Sequence, residues 1–145
     1  MQALTPAVGL SFDHAFAYGQ VQGRRPMVML ELAGVDNAGR LLGSVANTPV
    51  LVDSGADTTM LNAGIALNLG LDLAAMPTEP VYGVGGGTQA MRHRILARLC
   101  SKWVVLPVLF EVGRNINLLG RDGAFDELRL GFLHSQSIVV ANLHP

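Results

Sequence analysis

Along this chain the apolar positions recur mostly in short runs or in strict alternation, the spacing of strands. Residues 26–32 form the first clear strand, and they run into Gly34-Val35-Asp36-Asn37-Ala38-Gly39-Arg40, where Asp, Asn and Gly supply turn chemistry. A hairpin is expected there, with residues 41–48 returning. The apolar run Pro49-Val50-Leu51-Val52 then reads as a buried strand that delivers Asp53 into Ser54-Gly55-Ala56. Behind it, Asn62 can cap a short helix that Gly70 is placed to end.

The second half keeps the strand character. Val81-Tyr82-Gly83-Val84-Gly85-Gly86-Gly87-Thr88-Gln89-Ala90 predicts a long glycine-rich hairpin. Beyond it, Arg92, Arg94 and Arg98 fall on one parity and His93, Ile95, Ala97 and Leu99 on the other, which is period two. Residues 103–112 are nearly continuous apolar strand, with Pro107 marking an edge position, a bulge or a missing ladder bond. After Leu118-Leu119-Gly120-Arg121, residues 122–128 are expected to form a short helix, and residues 128–132 and 137–141 a terminal hairpin. Residues 1–20 lack sustained periodicity and read as an N-terminal arm or a short edge strand.

Composition narrows the functional classes. The chain has 145 residues, 50% hydrophobic and 14% charged, which suits a single domain with a real core over residues 21–145. A net charge of -1 and the absence of any long basic run give no reason to expect a nucleic-acid or acidic-membrane partner. Cys100 is alone, so no intrachain disulfide forms, and its plain reading is a small half-buried side chain near a turn. No segment has the pattern of a signal peptide or the ~18 uninterrupted apolar residues of a membrane span, so a cytoplasmic location is expected. His14, His93, His134 and His144 are scattered without metal-ligand spacing, and Gly-x-Ser-x-Gly is absent. These absences favour cofactor-free chemistry.

Asp53 is the first candidate for that chemistry, because a carboxylate among Val and Leu must be hydrogen-bonded, paired, protonated or functionally tuned. The bland alternative is an Asx-type turn between two core strands. A rival motif lies at Gly85-Gly86-Gly87-Thr88-Gln89-Ala90, which satisfies the Gly-x-Gly-x-x-Gly/Ala dinucleotide fingerprint but lies in a period-two context with no βαβ unit.

Asp53-Ser54-Gly55-Ala56-Asp57, the glycine-rich hairpin and Leu118-Leu119-Gly120-Arg121 occur in the order found in the retropepsin-like aspartic proteases. The chain resembles that family over roughly residues 26–132, and its terminal hairpin is more like the stand-alone cellular members. The resemblance implies a mostly β, closed antiparallel barrel-like fold with one or two short helices. It assigns catalysis to Asp53 and loop support to Ser54, Gly55, Ala56, Asp57 and Arg121, with Arg121 as the partner of Asp57. Val84, Gly85, Gly86 and Gly87 take the role of a flap tip over a bound polypeptide. The family needs two carboxylates that share a proton, and this chain holds one Asp-Ser-Gly, so a homodimeric aspartic endopeptidase is implied. Ala56 offers no hydroxyl to the ionised form of the pair, which points to a mildly acidic optimum and to a downward shift of the acidic limb in Ala56→Ser. The alternative is a catalytically silent module of the same shape that binds extended peptides or mediates dimer assembly.

Overall fold

The computed structural model describes residues 12–18, 25–83 and 86–144. Alternation dominates the sequence, and strands dominate the structure. In chain order they are β1 (His14–Ala17), β2 (Met27–Val35), β3 (Leu41–Val52), β4 (Thr59–Asn62), β5 (Thr78–Gly83), β6 (Gly86–Leu99), β7 (Lys102–Glu111), β8 (Leu118–Leu119), β9 (Leu128–Leu133) and β10 (Ile138–Leu143). One α-helix, α1 (Ala63–Asn68), follows β4. The larger sheet has the order β2-β3-β8-β4-β7-β6-β5, and β2 also pairs with β6, so the sheet curls partly round on itself. A smaller sheet, β1-β10-β9, joins the two ends of the described chain.

The period-two pattern explains which faces turn inward. Along β6, Ile95, Ala97 and Leu99 are buried while Arg92, Arg94 and Arg98 are exposed, and along β7 Leu106, Val108 and Phe110 join the same core. Leu32, Val50 and Leu61 close it from β2, β3 and β4. Pro107 lacks an N–H, and it is tolerated because β7 gains its β4 neighbour only from Val108 onward. The hairpins expected at 26–48, 81–90 and 128–141 are present as β2–β3, β5–β6 and β9–β10. Two contacts are parallel, β3 with β8 and β4 with β7, and no local pattern announces such pairings.

The short helix has the expected caps. The Asn62 side chain accepts from Gly64 N–H, and Gly70 (φ +76°) and Leu71 donate back to Leu67 and Ala66, closing a Schellman end. Residues 122–128 differ from expectation, because they form consecutive turns in place of a helix. Gly123 takes φ +78° and donates to the Asp126 carboxylate, which breaks the helical path after a single Phe125-to-Arg121 bond. Within the expected N-terminal arm, residues 14–17 are an edge strand paired to β10, and residues 1–11 and 19–20 lie outside the described residues. Cys100 sits half-buried in the β6–β7 turn at φ +56°, and burial pushes its thiol pKa up.

Candidate functional site

Asp53 leaves β3 at the point where the core strand ends. Val50 and Val52 are buried, but Asp53 itself is half-exposed, so the expected burial of its carboxylate is only partial. Its Oδ1 accepts from Gly55 N–H at 2.9 Å, and its carbonyl accepts from Ala56 N–H at 3.3 Å. This is an Asx-type turn, so the bland local reading and the chemical one share a geometry. A Cβ on Gly55 would stand 3.2 Å from Oδ1, and glycine there lets the carboxylate close on the backbone amide. Among the described residues Oδ2 accepts nothing. Ser54 and Gly55 form the exposed tip of the loop, with Ala56 half-buried behind them.

The segment around β8 fixes this loop from below. β8 lies between β3 and β4, the strands that enter and leave the loop. Asp53 N–H donates to Leu119 O at 3.0 Å, Arg121 N–H to Ala56 O at 3.0 Å, and Asp122 N–H to Asp57 O at 2.8 Å. Gly120 N–H donates to the fully buried Thr59 hydroxyl at 3.1 Å. A Cβ on Gly120 would lie 2.5 Å from Thr58 C and 2.8 Å from Thr59 N, so only glycine permits this backbone-on-backbone approach. One turn earlier, Asn117 ties the two flanking strands together. Its Oδ1 accepts from Asn62 N–H at 2.8 Å, its Nδ2 donates to Pro49 O, and its backbone O accepts from Leu51 N–H.

Arg121 and Asp57 meet as an ion pair, the partners that the sequence reading joined. The pair is open to solvent, with side chains 51% and 77% exposed, so it adds little stability, and the backbone bonds beside it carry most of the support. Thr59 and Asn117 are contributors that sequence reasoning passed over. Each is a polar residue set inside an apolar stretch, Thr59 before Met60-Leu61 and Asn117 between Ile116 and Leu118, and that was the available signal.

The glycine-rich hairpin is β5–β6, in register from Thr78↔Met91 to Gly83↔Gly86. Val84 and Gly85, two of the expected tip residues, lie outside the described residues. Gly86 and Gly87 belong to the first rungs of β6, with Gly86 at φ +122° and Gly87 opposite Tyr82. The dinucleotide fingerprint is therefore overturned, because Gly86–Leu99 is one antiparallel strand and no helix N-terminus follows the glycines to receive a pyrophosphate. At the root of the hairpin Arg92 grips Glu79 with two bonds of 2.6 Å. The guanidinium hydrogen bonds hold Glu79 below the usual carboxylate range, and Glu79 raises Arg92 in turn, with a smaller contribution from Asp122.

No protein-family model matches the chain, and no curated protein matches it. Among the described residues no group of His, Cys, Asp or Glu is placed to hold a metal ion, and no helix is long and apolar enough to cross a membrane.

Proposed function

We propose that the chain is a retropepsin-like aspartic endopeptidase whose catalytic pair is assembled from Asp53 of two copies. The observation that carries this reading is the setting of Asp53. Its backbone is fixed on one side by Leu119 and its carboxylate by Gly55 N–H, while the second carboxylate oxygen and the Ser54–Gly55 tip remain open. A two-fold axis through that tip brings a second identical carboxylate alongside the first. In this reading the partly ringed sheet is one half of a closed acid-protease fold, and the β5–β6 hairpin lies over an extended polypeptide.

The chemistry follows from two carboxylates sharing one proton. The ionised Asp53 takes a proton from a water, whose oxygen attacks the scissile carbonyl carbon. The protonated Asp53 of the other copy donates a hydrogen bond to the carbonyl oxygen and stabilises the charge that develops there. Collapse of the tetrahedral intermediate breaks the C–N bond, with a proton passing to the leaving nitrogen, and yields a carboxylic acid and an amine. Ser54 at the tip offers a hydroxyl to the opposing loop across the axis, and Arg121 steadies Asp57 from the side.

The test is digestion of a diverse peptide mixture from acidic to neutral pH by the intact protein and by Asp53→Asn at matched concentration. Cut sites that appear only with the intact carboxylate, with a mildly acidic optimum, support the proposal. Equal silence of both preparations at every pH and concentration removes it.

A further inference from the structure

The outer face of β6 carries a row of charges that the chain leaves incomplete. Arg92, Arg94 and Arg98 are exposed on that face, opposite the buried Ile95, Ala97 and Leu99. Arg92 is paired with Glu79 from β5, and Arg98 with Glu31 from β2. Arg94, between them, has no ion pair and no hydrogen bond among the described residues. All 11 Asp and Glu residues of the chain fall within the described residues, so no acidic side chain from its other segments completes the row.

Arg94 lines a groove of about 650 Å³. Directly opposed residues of an antiparallel pair share a face, so Pro107 opposite Arg94 and Val105 opposite Leu96 give the groove an apolar floor beside the guanidinium. Val105 is 56% exposed there. The same rung continues from Leu96 through Ala33 to Val45, itself 55% exposed, so the floor opens onto a wider apolar strip across four strands. The turn at residues 36–39 forms one wall. Within it the Asp36 carboxylate is already held by the Arg40 side chain and by the Ala38 and Arg40 amides. The exposed Asn37 side chain makes no hydrogen bond among the described residues.

An unanswered guanidinium, an apolar floor and an amide able to donate and accept suit a peptide chain bearing one carboxylate beside an apolar residue. A neutral apolar guest would leave Arg94 without a partner, and a simple anion would leave the floor bare. We infer that this groove docks an acidic, apolar polypeptide segment of a partner protein. Its Asp or Glu pairs with Arg94, its neighbouring apolar side chain covers Leu96 and Val105, and its backbone meets Asn37. None of these residues belongs to the Asp53 loop, and docking here is independent of peptide cleavage.

The test uses the whole chain carrying Asp53→Asn, so that no Asp53-dependent cleavage consumes the probe, and a display library of random nonapeptides. Enriched sequences are expected to place Asp or Glu next to an apolar residue, and a synthetic copy to shift the backbone amides of Asn37, Leu96 and Val105. Arg94→Gln is expected to weaken its binding by at least about tenfold, and Gln in place of the peptide's acid by as much. Combining the two changes adds little to either alone, the coupling expected of a direct pair. The peptide change leaves the protein untouched, so loss of folding does not produce its effect. Arg129→Gln, at an exposed arginine outside the groove, leaves binding unchanged. No enrichment, enriched peptides without an acid, or equal binding by Arg94→Gln overturns the inference. The same amide shifts with acetate alone at the peptide's concentration mark a simple anion site and overturn it. Shifts that grow with protein concentration in the absence of peptide mark a second copy as the occupant and overturn it as well.

Discussion

The Asp53 loop and the β5–β6 hairpin are both built from glycine and small residues, and the structure uses those residues in opposite ways. At the loop, Gly120 is present because the Thr58–Thr59 backbone occupies the space a side chain would need, 2.5 Å away. At the hairpin, an added Cβ on Gly83 would meet nothing within 4 Å. The loop is tied by main-chain bonds to Leu119, Arg121 and Asp122, whereas among the described residues β5 is an edge strand paired to β6 alone. A group that must hold a water and a carbonyl in fixed geometry needs the first kind of support. Under the endopeptidase proposal, a hairpin lying over varied peptides is better served by the second.

The sharpest way to break this contrast is alanine at each glycine. Gly120→Ala is expected to cost about 3 kcal/mol, because the obstructing atoms are backbone and cannot turn aside. Gly83→Ala should stay within about 0.5 kcal/mol. Paired thermal melts check both, and equal losses in the two variants would dissolve the distinction.

A smaller effect concerns how the hairpin is held. Arg92 keeps Glu79 below the ordinary glutamate range, so the unfolded chain binds this proton more tightly than the native one. The contribution is therefore complete above pH ~4.3, the ordinary glutamate value, and is lost as pH falls below it. Both side chains are substantially exposed, which limits it to under about 1 kcal/mol. The melting difference between the intact protein and Glu79→Gln should shrink between pH 6 and pH 3; a gap that widens would contradict the assignment.

Smallest of all is Arg121→Ala. Its ion pair with Asp57 is solvent-exposed, and the neighbouring main-chain bonds do not depend on the side chain. A loss of at most about 0.5 kcal/mol, fading in high salt, is expected from denaturant titrations.

These differences also explain what could be read in the sequence. Strands and hairpins were legible because alternation at 91–99 and turn residues at 34–40 are local signals, and the caps of α1 at Asn62 and Gly70 are equally local. The expected helix at 122–128 failed on Gly123, whose positive φ and bond to Asp126 compete with helical continuation. Non-local features were hidden. Nothing near Leu118-Leu119 states that this pair will insert between β3 and β4, and Thr59 and Asn117 gain their roles only through that insertion. The Asp53 motif was visible as a string, but its partial exposure follows from where β3 ends, which periodicity does not set.

The central claim is that activity needs two Asp53 carboxylates from separate copies, and mixing tests it most directly. Intact chains are combined with Asp53→Asn chains, allowed to exchange, and assayed on a mapped peptide across a range of total concentration. The account predicts specific activity that rises with concentration and drops to roughly half per intact chain at equal mixing, because mixed pairs hold one ionisable carboxylate. Activity per intact chain that is indifferent to both dilution and the added variant would contradict it.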